Sequence, residues 1–469
     1  MIRPRTFRIR VLGCRVNHAE QRELASVLRR RGLEEAPPGH PGDLEIIHTC
    51  SVTARAAAKS RQATRRARRA SPDAIVLVTG CLVGTDPEIA RSLAGGAGAA
   101  IGHDTPLPQA VDHWLGAHVP DTGVAEAATA SPTGIRPLPL HVLPNEPASH
   151  VRAEVRIQDG CDAHCTFCII PRTRPVLRSK SMATVLDEVE ALVSLGHREV
   201  VLTGIFLGAY GHETALRRRQ THPDREPLAE LLERVAQVPG LARLRLSSLE
   251  PGDVSDALLQ AMVDHADTVV PHLHLPLQSG SDEILRRMNR QYRVADYLEM
   301  VDRVEQALTR EGLAPAITTD VICGFPGETE ADFDRTMAVA RRVGFLHMHV
   351  FPYSPRAGTA AARWTGAAVP RAVAADRVRR LIDLECQDGL ADAFRRMLID
   401  TEVRVLIEQP DTNRPGHWLG RSDHYALMTV AGNYERGEIV RAIPQKIEDD
   451  VMTARACPVG HALPLISRR

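Results

Sequence analysis

The sequence lacks any segment that would place it in a membrane or export it. No run of about 18 uncharged apolar residues occurs, and a membrane-spanning helix needs roughly that length. The first residues, MIRPRTFRIR, are basic but are not followed by the apolar stretch of a secretory signal. We therefore expect a soluble, cytoplasmic protein that has no membrane partner.

The chain also has no net charge, because 58 Lys and Arg residues balance 58 Asp and Glu residues. No global electrostatic field therefore argues for nucleic-acid binding. The charge is uneven, however, since residues 59–69, KSRQATRRARR, are strongly basic and lie on a predicted helix. A solvated helix face is the ordinary interpretation of such a run, and contact with phosphates is the alternative.

Cysteine is scarce as well, with nine residues in a chain of 469. In a long chain without a secretory signal, these cysteines do not predict a disulfide framework. Clustered thiols in a reducing compartment more often bind metal or do chemistry. Their spacing therefore bears directly on function.

The length predicts about three domains, at roughly 150 residues each. In the first domain, the apolar runs FRIRVLGC, LEIIHTC and AIVLVTGC alternate with helical patterns, which favours a parallel sheet flanked by helices. A segment rich in Ala, Pro, Thr and Gly then indicates a linker. The predicted boundaries are 1–115 for the first domain, 116–147 for the linker, 148–390 for the second domain, 391–449 for the third and 450–469 for a loose tail.

The second domain alternates strand-like runs with helical patterns. Six runs are seen: VRAEVRIQ, REVVLTG, ARLRLSS, VVPHLHLP, ITTDVICG and FLHMHVFP. Six such units predict a partial or complete parallel barrel. The third domain has short strands broken by Gly, Asn and Pro, which is typical of a small all-β barrel.

Three cysteines of the first domain each end one of its strand-like runs: Cys14, Cys50 and Cys81. In open α/β sheets, ligands sit outside the carboxyl ends of the strands. If the three strands are neighbours, the three thiols converge on one edge. The alternative is three unrelated buried cysteines, since free cysteine is a common core residue.

A second trio lies in QDGCDAHCTFCIIP, residues 158–171, directly after the first strand of the second domain. Cys161, Cys165 and Cys168 would sit on a loop at the mouth of the predicted barrel, where such barrels hold their active sites. Thiolates are the natural ligands of iron–sulfur clusters, and three of them leave one iron of a cubane open to a reactant. The alternative is a zinc site whose fourth ligand lies elsewhere.

The spacing C-x3-C-x2-C, with Phe167 before the last cysteine, is similar to the signature of radical S-adenosylmethionine (SAM) enzymes. Further segments resemble the methylthiotransferases of that family. They are LGCRVNHAE, HTCSVTARAAAKSRQATRRA and TGC in the first domain, and VVLTGIFLGAYG, LRLSSLEP, HLHLPLQSGSDEILRRMNRQY, DVICGFPGETEADF and FPYSPRAGTAA in the second. The final domain resembles a TRAM domain, an RNA-binding module, so the resemblance extends over about 7–448.

The resemblance implies an α/β protein with an N-terminal doubly wound parallel sheet, a central radical SAM (β/α)6-type partial barrel and a C-terminal, small all-β TRAM-like barrel. It also implies two 4Fe–4S clusters and SAM as cofactors. The catalytic, SAM-binding cluster would be held by Cys161, Cys165 and Cys168. The second cluster would be held by Cys14, Cys50 and Cys81.

Other residues have both a functional and a structural interpretation. Those expected near SAM are Phe167, Gly204, Ser248, Glu250 and Gln278. Gly204 could equally form a tight turn, and Ser248 and Glu250 could instead cap a helix. Those expected to contact RNA are Lys59, Arg61, Arg65 and Arg66. His272 and His274 alternate with apolar residues along a strand, which favours an inward-facing polar role over metal ligation.

The implied reaction is methylthiolation of C2 of N6-threonylcarbamoyladenosine at position 37 of tRNA, beside the anticodon. One SAM would generate a radical and a second would donate the methyl group. The segments GCRVN, DGCDAHCTFCIIP, LTGIFLGAYG and FPYSPRAGTAA look most like that branch. Other branches act on isopentenyladenosine in tRNA or on an aspartate of a ribosomal protein. A monomer is expected, with the tRNA anticodon loop and a low-potential electron donor such as flavodoxin or ferredoxin as partners.

The chain departs from the usual pattern of the family at several positions. His48 stands where Asn is usual, Pro175 replaces a glycine and Lys180 replaces an arginine. After Cys81, Val83 and Gly84 stand in place of a small residue and a glutamine. Because proline fixes φ and removes a donor, the loop after the second trio is expected to run differently.

Overall fold

The computed structural model describes residues 4–118, 151–220, 226–448 and 450–457. Residues 116–118, predicted as the start of the linker, form the end of a helix, so the predicted boundary at 116 is wrong. Residues 119–147 of the predicted linker and the predicted tail from residue 458 onward lie outside the described ranges. Among the described residues, no helix combines the length and apolarity needed to cross a membrane.

The N-terminal domain is a five-stranded parallel sheet with the strand order β2-β1-β3-β4-β5. Its strands are β1 (Thr6–Val11), β2 (Glu34–Glu35), β3 (Leu44–Thr49), β4 (Ile75–Gly80) and β5 (Ala99–Ile101). Its helices are α1 (Arg15–Arg30), α2 (Ala54–Ala70), α3 (Cys81–Thr85), α4 (Pro87–Ala94) and α5 (Leu107–His118). Separate apolar cores on the two faces of the sheet confirm the doubly wound prediction.

The central domain is built on six parallel strands in the order β6-β8-β9-β10-β11-β12. These are β6 (Arg152–Asp159), β8 (Glu199–Gly204), β9 (Arg243–Leu246), β10 (His272–His274), β11 (Ala316–Cys323) and β12 (His347–Pro352), and the short β7 (Arg178–Ser179) runs antiparallel along β6. Two isolated bridges join β9 to β10. In the described residues β12 does not pair with β6, so the barrel is partial, as predicted.

The helices of this domain cover the outside of the barrel and bury one large apolar core against it. They are α6 (Ile170–Thr173), α7 (Met182–Ser194), α8 (Pro227–Ala236), α9 (Asp256–Asp264), α10 (Asp282–Arg287), α11 (Val294–Leu308) and α12 (Glu330–Val343). Two further helices, α13 (Arg371–Cys386) and α14 (Leu390–Met397), lead to the last domain. Apolar burial on the outer face of each strand leaves the polar side chains to face the lumen.

The C-terminal domain is a closed barrel with the strand order β13-β14-β15-β17-β16, which confirms the predicted small all-β fold. Its strands are β13 (Val403–Pro410), β14 (His417–Ser422), β15 (Leu427–Ala431), β16 (Ile439–Glu448) and β17 (Val451–Ala456).

The prediction that 450–469 is a loose tail is wrong for residues 451–456. These residues form β17, which pairs with both β15 and β16 and closes the barrel. Met452 and Ala454 point into the core while Arg455 points outward. The strand escaped detection because VMTARA alternates only weakly between apolar and polar residues, so closure of the sheet rather than local pattern determines it.

We expect Met452→Ala to lower the free energy of unfolding of the barrel by about 2–5 kcal/mol, because a fully buried large side chain is lost. Arg455→Ala, in the same strand but exposed, should change it by no more than about 0.5 kcal/mol. Urea unfolding followed by fluorescence measures both. Equal, small effects of the two substitutions would contradict the assignment of residues 451–456 to the barrel.

Candidate active site

The second cysteine trio lies on the loop that follows β6, at the carboxyl end of the partial barrel. Cys161 is buried, whereas Cys165 and Cys168 are half-buried. Two left-handed residues shape the loop, Gly160 at φ 81° and His164 at φ 53°. All three cysteines are free thiols.

Backbone contacts hold this loop to its neighbours. The Cys161 amide donates to the Arg174 carbonyl (3.3 Å), and the Thr166 amide donates to the Met288 carbonyl (3.0 Å). The Thr166 hydroxyl donates to the carbonyl of Arg287 (2.8 Å). The loop is therefore fixed at both ends before any ligand binds.

The first cysteine trio lies at the carboxyl ends of β1, β3 and β4, which are adjacent strands. Cys50 and Cys81 are buried and Cys14 is exposed. Gly13 has φ 111°, and a Cβ there would lie 2.6 Å from the Cys50 Cβ, so the first two strand ends touch. Burial and then the charge of Cys81 raise the pKa of the Cys50 thiol to about 12. The strand ends therefore bring the three thiols within electrostatic reach of one another.

The two trios face each other across the boundary between the domains. Helix α3 begins at Cys81 and packs against α6, which follows Cys168. Burial, followed by the charges of Cys165 and more weakly of Cys81, raises the pKa of the Cys168 thiol to about 12. At Gly84 a Cβ would lie 2.8 Å from the Thr173 Cα, so the glycine that departs from the family pattern permits this close packing.

A buried guanidinium connects the two trios. Arg174 is 1% exposed and donates to both Glu20 oxygens (3.0 and 2.6 Å) and to Asp159 Oδ1 (2.7 Å). It also donates to Asn17 Oδ1 (3.2 Å), while Asn17 Nδ2 donates to the carbonyls of Leu12 and Thr49. Those two carbonyls lie next to the loops that carry the first trio. One side chain thus ties α1 of the N-terminal domain to the cluster loop of the barrel.

The charges of this network stabilise one another. Burial alone would raise the pKa of the Glu20 carboxyl, but Arg174 and His103 outweigh burial and hold that pKa well below its ordinary value. The pKa of the Asp159 carboxyl is also lowered, because the charges of Arg174 and Arg156 outweigh the effect of burial, which would raise it. Both carboxylates are therefore ionised and fully paired.

His48 and Lys180, two departures from the family pattern, both contact carboxylates of the same buried network. His48 contacts Glu20 through Nε2 (3.0 Å) and Thr79 through Nδ1 (2.9 Å). Lys180 Nζ lies 2.9 Å from Glu23 Oε1 and also pairs with Glu188. Each replacement residue therefore still contacts a buried carboxylate.

The thiols fit the clusters that their spacing suggests. Burial raises the pKa of Cys161, Cys165 and Cys168, so thiolates there need a positively charged partner. Iron supplies such charge, and Arg290 adds to it, because its Nη1 lies 3.2 Å from Cys165 Sγ. The described residues leave all six thiols without a disulfide. Either trio therefore offers three free thiols on neighbouring loops as candidate ligands of a cluster.

Three of the residues expected near SAM line the mouth of the barrel. Ser248 is exposed and bridges to His274, and Gln278 has a left-handed backbone at φ 60°. Gly204 ends β8, where a Cβ would lie 3.1 Å from Gln158 Cβ.

The other two have structural partners. Glu250 pairs with Arg290 and also caps the short turn at Pro251–Asp253. Phe167 packs edge-on against Phe325 at 6.4 Å, within an aromatic cluster. The structure therefore places Ser248, Gln278 and Gly204 around the opening and gives Phe167 a packing role.

Sequence reasoning missed two supports of the cluster loop. Arg290, besides its contact with Cys165, stacks over the Tyr292 ring at 5.0 Å. Asp162 accepts hydrogen bonds from the Thr214 hydroxyl and from the Ala215 amide (2.7 Å). The position of Arg290 within RRMNRQY was the available signal for the first, whereas nothing in the sequence pairs Asp162 with Thr214.

The residues expected to contact RNA lie on α2. Lys59, Arg65 and Arg66 are exposed and Arg61 is half-buried. In the described part of the chain these four side chains have no acidic partner. Helix α2 begins beside the barrel mouth, since the Ala54 amide donates to the Ser354 hydroxyl (3.1 Å). The basic residues therefore lie on a helix whose first turn adjoins the site.

Two family profiles match the chain. The Radical SAM superfamily matches residues 155–340, and the uncharacterized protein family UPF0004 matches residues 6–101. Each match covers one of the two domains that carry a cysteine trio.

Named relatives match over most of the chain. Threonylcarbamoyladenosine tRNA methylthiotransferase MtaB of Bacillus subtilis (strain 168) is 34% identical over 441 residues, which is 93% of each chain. MtaB of Thermotoga maritima is 33% identical, over 98% of this chain and 99% of its own. A tRNA-2-methylthio-N(6)-dimethylallyladenosine synthase of Mycobacterium bovis (strain ATCC BAA-935 / AF2122/97) is 37% identical, over 86% of this chain and 76% of its own.

A solved structure shares the fold. The radical SAM methyltransferase TsrM of Kitasatospora setae superposes with a TM-score of 0.51 at 14% identity, covering 75% of this chain and 77% of that one. This agreement supports the arrangement of the sheet and the partial barrel.

We expect Arg174→Met to destabilise the protein by about 3–5 kcal/mol, because Glu20 would stay buried without its guanidinium partner and Asp159 would keep only Arg156. The matched control is Arg379→Met, which removes an exposed arginine paired with Asp376 three positions earlier and should cost about 0.5 kcal/mol or less. Urea unfolding of the two variants measures the difference. A cost for Arg174→Met as small as that of the control would contradict the role of the network.

Proposed function

Because the chain belongs to the radical SAM tRNA methylthiotransferase family, we propose that it methylthiolates C2 of N6-threonylcarbamoyladenosine at position 37 of tRNA. The observation that carries this proposal is the pair of cysteine trios that face one another across one domain boundary. A single cluster would serve radical chemistry alone, whereas a sulfur insertion needs a second centre within reach of the same substrate.

We assign Cys161, Cys165 and Cys168 as ligands of a 4Fe–4S cluster at the barrel mouth. When bound, that cluster and SAM supply radical chemistry for a C–H bond that has no acidic proton, which side chains cannot activate by themselves. The side chains of the protein would position the cluster and SAM and shield them from water. Arg290 offsets negative charge at Cys165, and the left-handed Gln278 faces the opening beside Ser248.

We assign Cys14, Cys50 and Cys81 as ligands of a second 4Fe–4S cluster, and a second SAM as the methyl donor. The burial of Cys50 and Cys81 supports this assignment, and Cys14 is the exposed member of the trio. Cys50 and Cys81 are buried, so the opposite side is closed to water. The Arg174 network fixes the distance between the two trios.

We propose that tRNA is held by the basic face of α2 and by the C-terminal barrel. The barrel is docked firmly, since Arg243 donates to the carbonyls of Arg421 and Ser422 (2.9 and 2.8 Å) and Arg245 to that of Asp423 (3.0 Å). An anticodon loop is single-stranded, so its base can reach the site without opening a duplex. The enzyme would act in the cytoplasm as a monomer and receive electrons from flavodoxin or ferredoxin.

In a deletion strain, mass spectrometry of digested tRNA should show threonylcarbamoyladenosine that lacks its methylthio group. The wild-type gene should restore the mark, whereas alanine variants of either trio should not, because both clusters are required. Loss of the mark on isopentenyladenosine instead would favour the chemistry named for the Mycobacterium bovis relative. An unchanged nucleoside profile with an altered ribosomal-protein aspartate would contradict a tRNA substrate.

Replacing Lys59, Arg65 and Arg66 with alanine should weaken tRNA binding at least tenfold, because three unpaired cations are lost from one face. The slope of log K against log salt should fall by about 2, at roughly 0.7–0.9 per phosphate contact. Arg341→Ala on α12, also exposed, is the control and should change neither quantity. An unchanged salt slope in the triple variant would exclude α2 from the RNA interface.

A further inference from the structure

The lumen of the partial barrel carries a polar cluster that the proposed reaction does not use. His274, Asp320 and His349 come from the three adjacent strands β10, β11 and β12. One ring nitrogen or carboxylate oxygen of each lies within 4.8 Å of the others. The cluster is therefore a convergent site rather than three separate side chains.

Strand register places this cluster on the concave face. Asp320 pairs with His349, and the neighbouring residues Val321 and Met348 are buried against the outer helices. Alternation along each strand then directs Asp320 and His349 into the lumen. His349 is exposed, and Asp320 and His274 are half-buried. A ligand that enters the lumen can therefore reach all three side chains.

The cluster is pre-oriented. His274 Nδ1 lies 3.0 Å from the Thr318 hydroxyl, and its Nε2 lies 3.4 Å from Asp320 Oδ1. The ring of His349 packs edge-on against that of His347 at 4.5 Å, and His347 is itself held by Glu385 (2.6 Å). Side chains fixed in this way lose little conformational entropy when they bind a partner.

The cluster adjoins the residues expected near SAM. Ser248 bridges to His274, and the Gln278 amide donates to the Asp320 carbonyl (2.8 Å). A group bound at the cluster would therefore lie beside the reacting region of the barrel.

The lower end of the lumen is closed by the turn between β14 and β15. Tyr425 stacks on His272 at 4.5 Å, and its hydroxyl accepts a hydrogen bond from Arg15 Nη2 (3.0 Å). Arg15 follows Cys14 directly in the sequence, so the closed lower end of the lumen contacts the segment that carries the first trio. The guanidinium of Arg15 has further N–H donors beyond the one that Tyr425 takes.

We propose that His274, Asp320 and His349, together with Arg15, recognise the polar substituent on N6 of the target adenine. This inference rests on the proposed function. A threonylcarbamoyl group offers urea N–H donors, a urea carbonyl, a hydroxyl and a carboxylate. The His349 imidazole and the guanidinium supply donors for the carbonyl and the carboxylate, and Asp320 supplies an acceptor for the N–H or hydroxyl groups. His274, whose two ring nitrogens already face Thr318 and Asp320, holds the Asp320 carboxylate in place.

The same residues disfavour an apolar substituent. A dimethylallyl group makes no hydrogen bond, so it would strip water from the imidazoles and the carboxylate without replacing it. Sites built to hydrogen-bond a substrate reject analogues that lack the polar group far more strongly than apolar pockets reject a size change. The cluster therefore acts as a specificity determinant between the two kinds of modified base.

The test is binding of anticodon stem-loops that carry threonylcarbamoyladenosine, isopentenyladenosine or adenosine, measured by fluorescence anisotropy with the cluster-loaded protein. Wild type should prefer the threonylcarbamoyl RNA over the adenosine RNA by about tenfold or more, because only the threonylcarbamoyl group can form hydrogen bonds with these charged and polar side chains. His349→Leu and Asp320→Asn should each lose most of that preference without weakening the adenosine RNA. His113→Leu, an exposed histidine on α5, is the control. Iron content and thermal midpoint verify that each variant is folded.

An unchanged preference in both lumen variants would overturn the inference, as would a wild type that binds the three RNAs equally. A stoichiometric divalent metal, additional to the cluster iron and lost in His349→Leu, would also overturn it in favour of a metal site. Formation of methylthio product by the wild type is scored separately. If the wild type forms the methylthio product but the lumen variants keep the RNA preference, only the inference is contradicted. If the wild type shows the RNA preference but forms no product, only the proposed reaction is contradicted.

Discussion

The pairing of Arg174 with Glu20 and Asp159 is the interaction on which the rest of the structure depends. A guanidinium that is 1% exposed is stable only because carboxylates from two domains surround it. The N-terminal domain could not bury Glu20 alone without losing its guanidinium partner, and the barrel alone would leave Arg174 paired only with Asp159. The N-terminal sheet and the partial barrel are therefore obliged to fold against each other.

This obligation gives the active site its shape. The same guanidinium contacts Asn17, which supports the loops of the first trio, and its backbone carbonyl accepts from Cys161 of the second. Two cysteine-bearing loops from different domains thus share one support. Below them, the arginines of β9 hold the C-terminal barrel, whose Tyr425 turn closes the lumen. The two cysteine trios, the polar lumen and the C-terminal barrel therefore meet at a region that no single domain contains.

Much of this architecture could be predicted, because parallel strands are continuous apolar runs and the cysteines stand at their ends. The doubly wound sheet, the partial barrel and the terminal barrel follow from such local patterns. The Arg174 network could not be predicted, since Glu20 and Arg174 are 154 positions apart and only tertiary packing pairs them. Strand β17 was missed for a related reason, because barrel closure outweighs its weak pattern. His48 and Lys180 look anomalous in sequence but are ordinary partners in the folded network.

The most direct test of this account is cleavage of the chain between the two cysteine-bearing domains. A protease site inserted within residues 119–150 would separate them covalently while leaving every described contact in place. We predict that the two fragments still elute together from a sizing column, and that they separate when Arg174 is replaced by methionine. Separation of the fragments with Arg174 intact would show that the covalent linker, not the buried ion pairs, holds the two domains together.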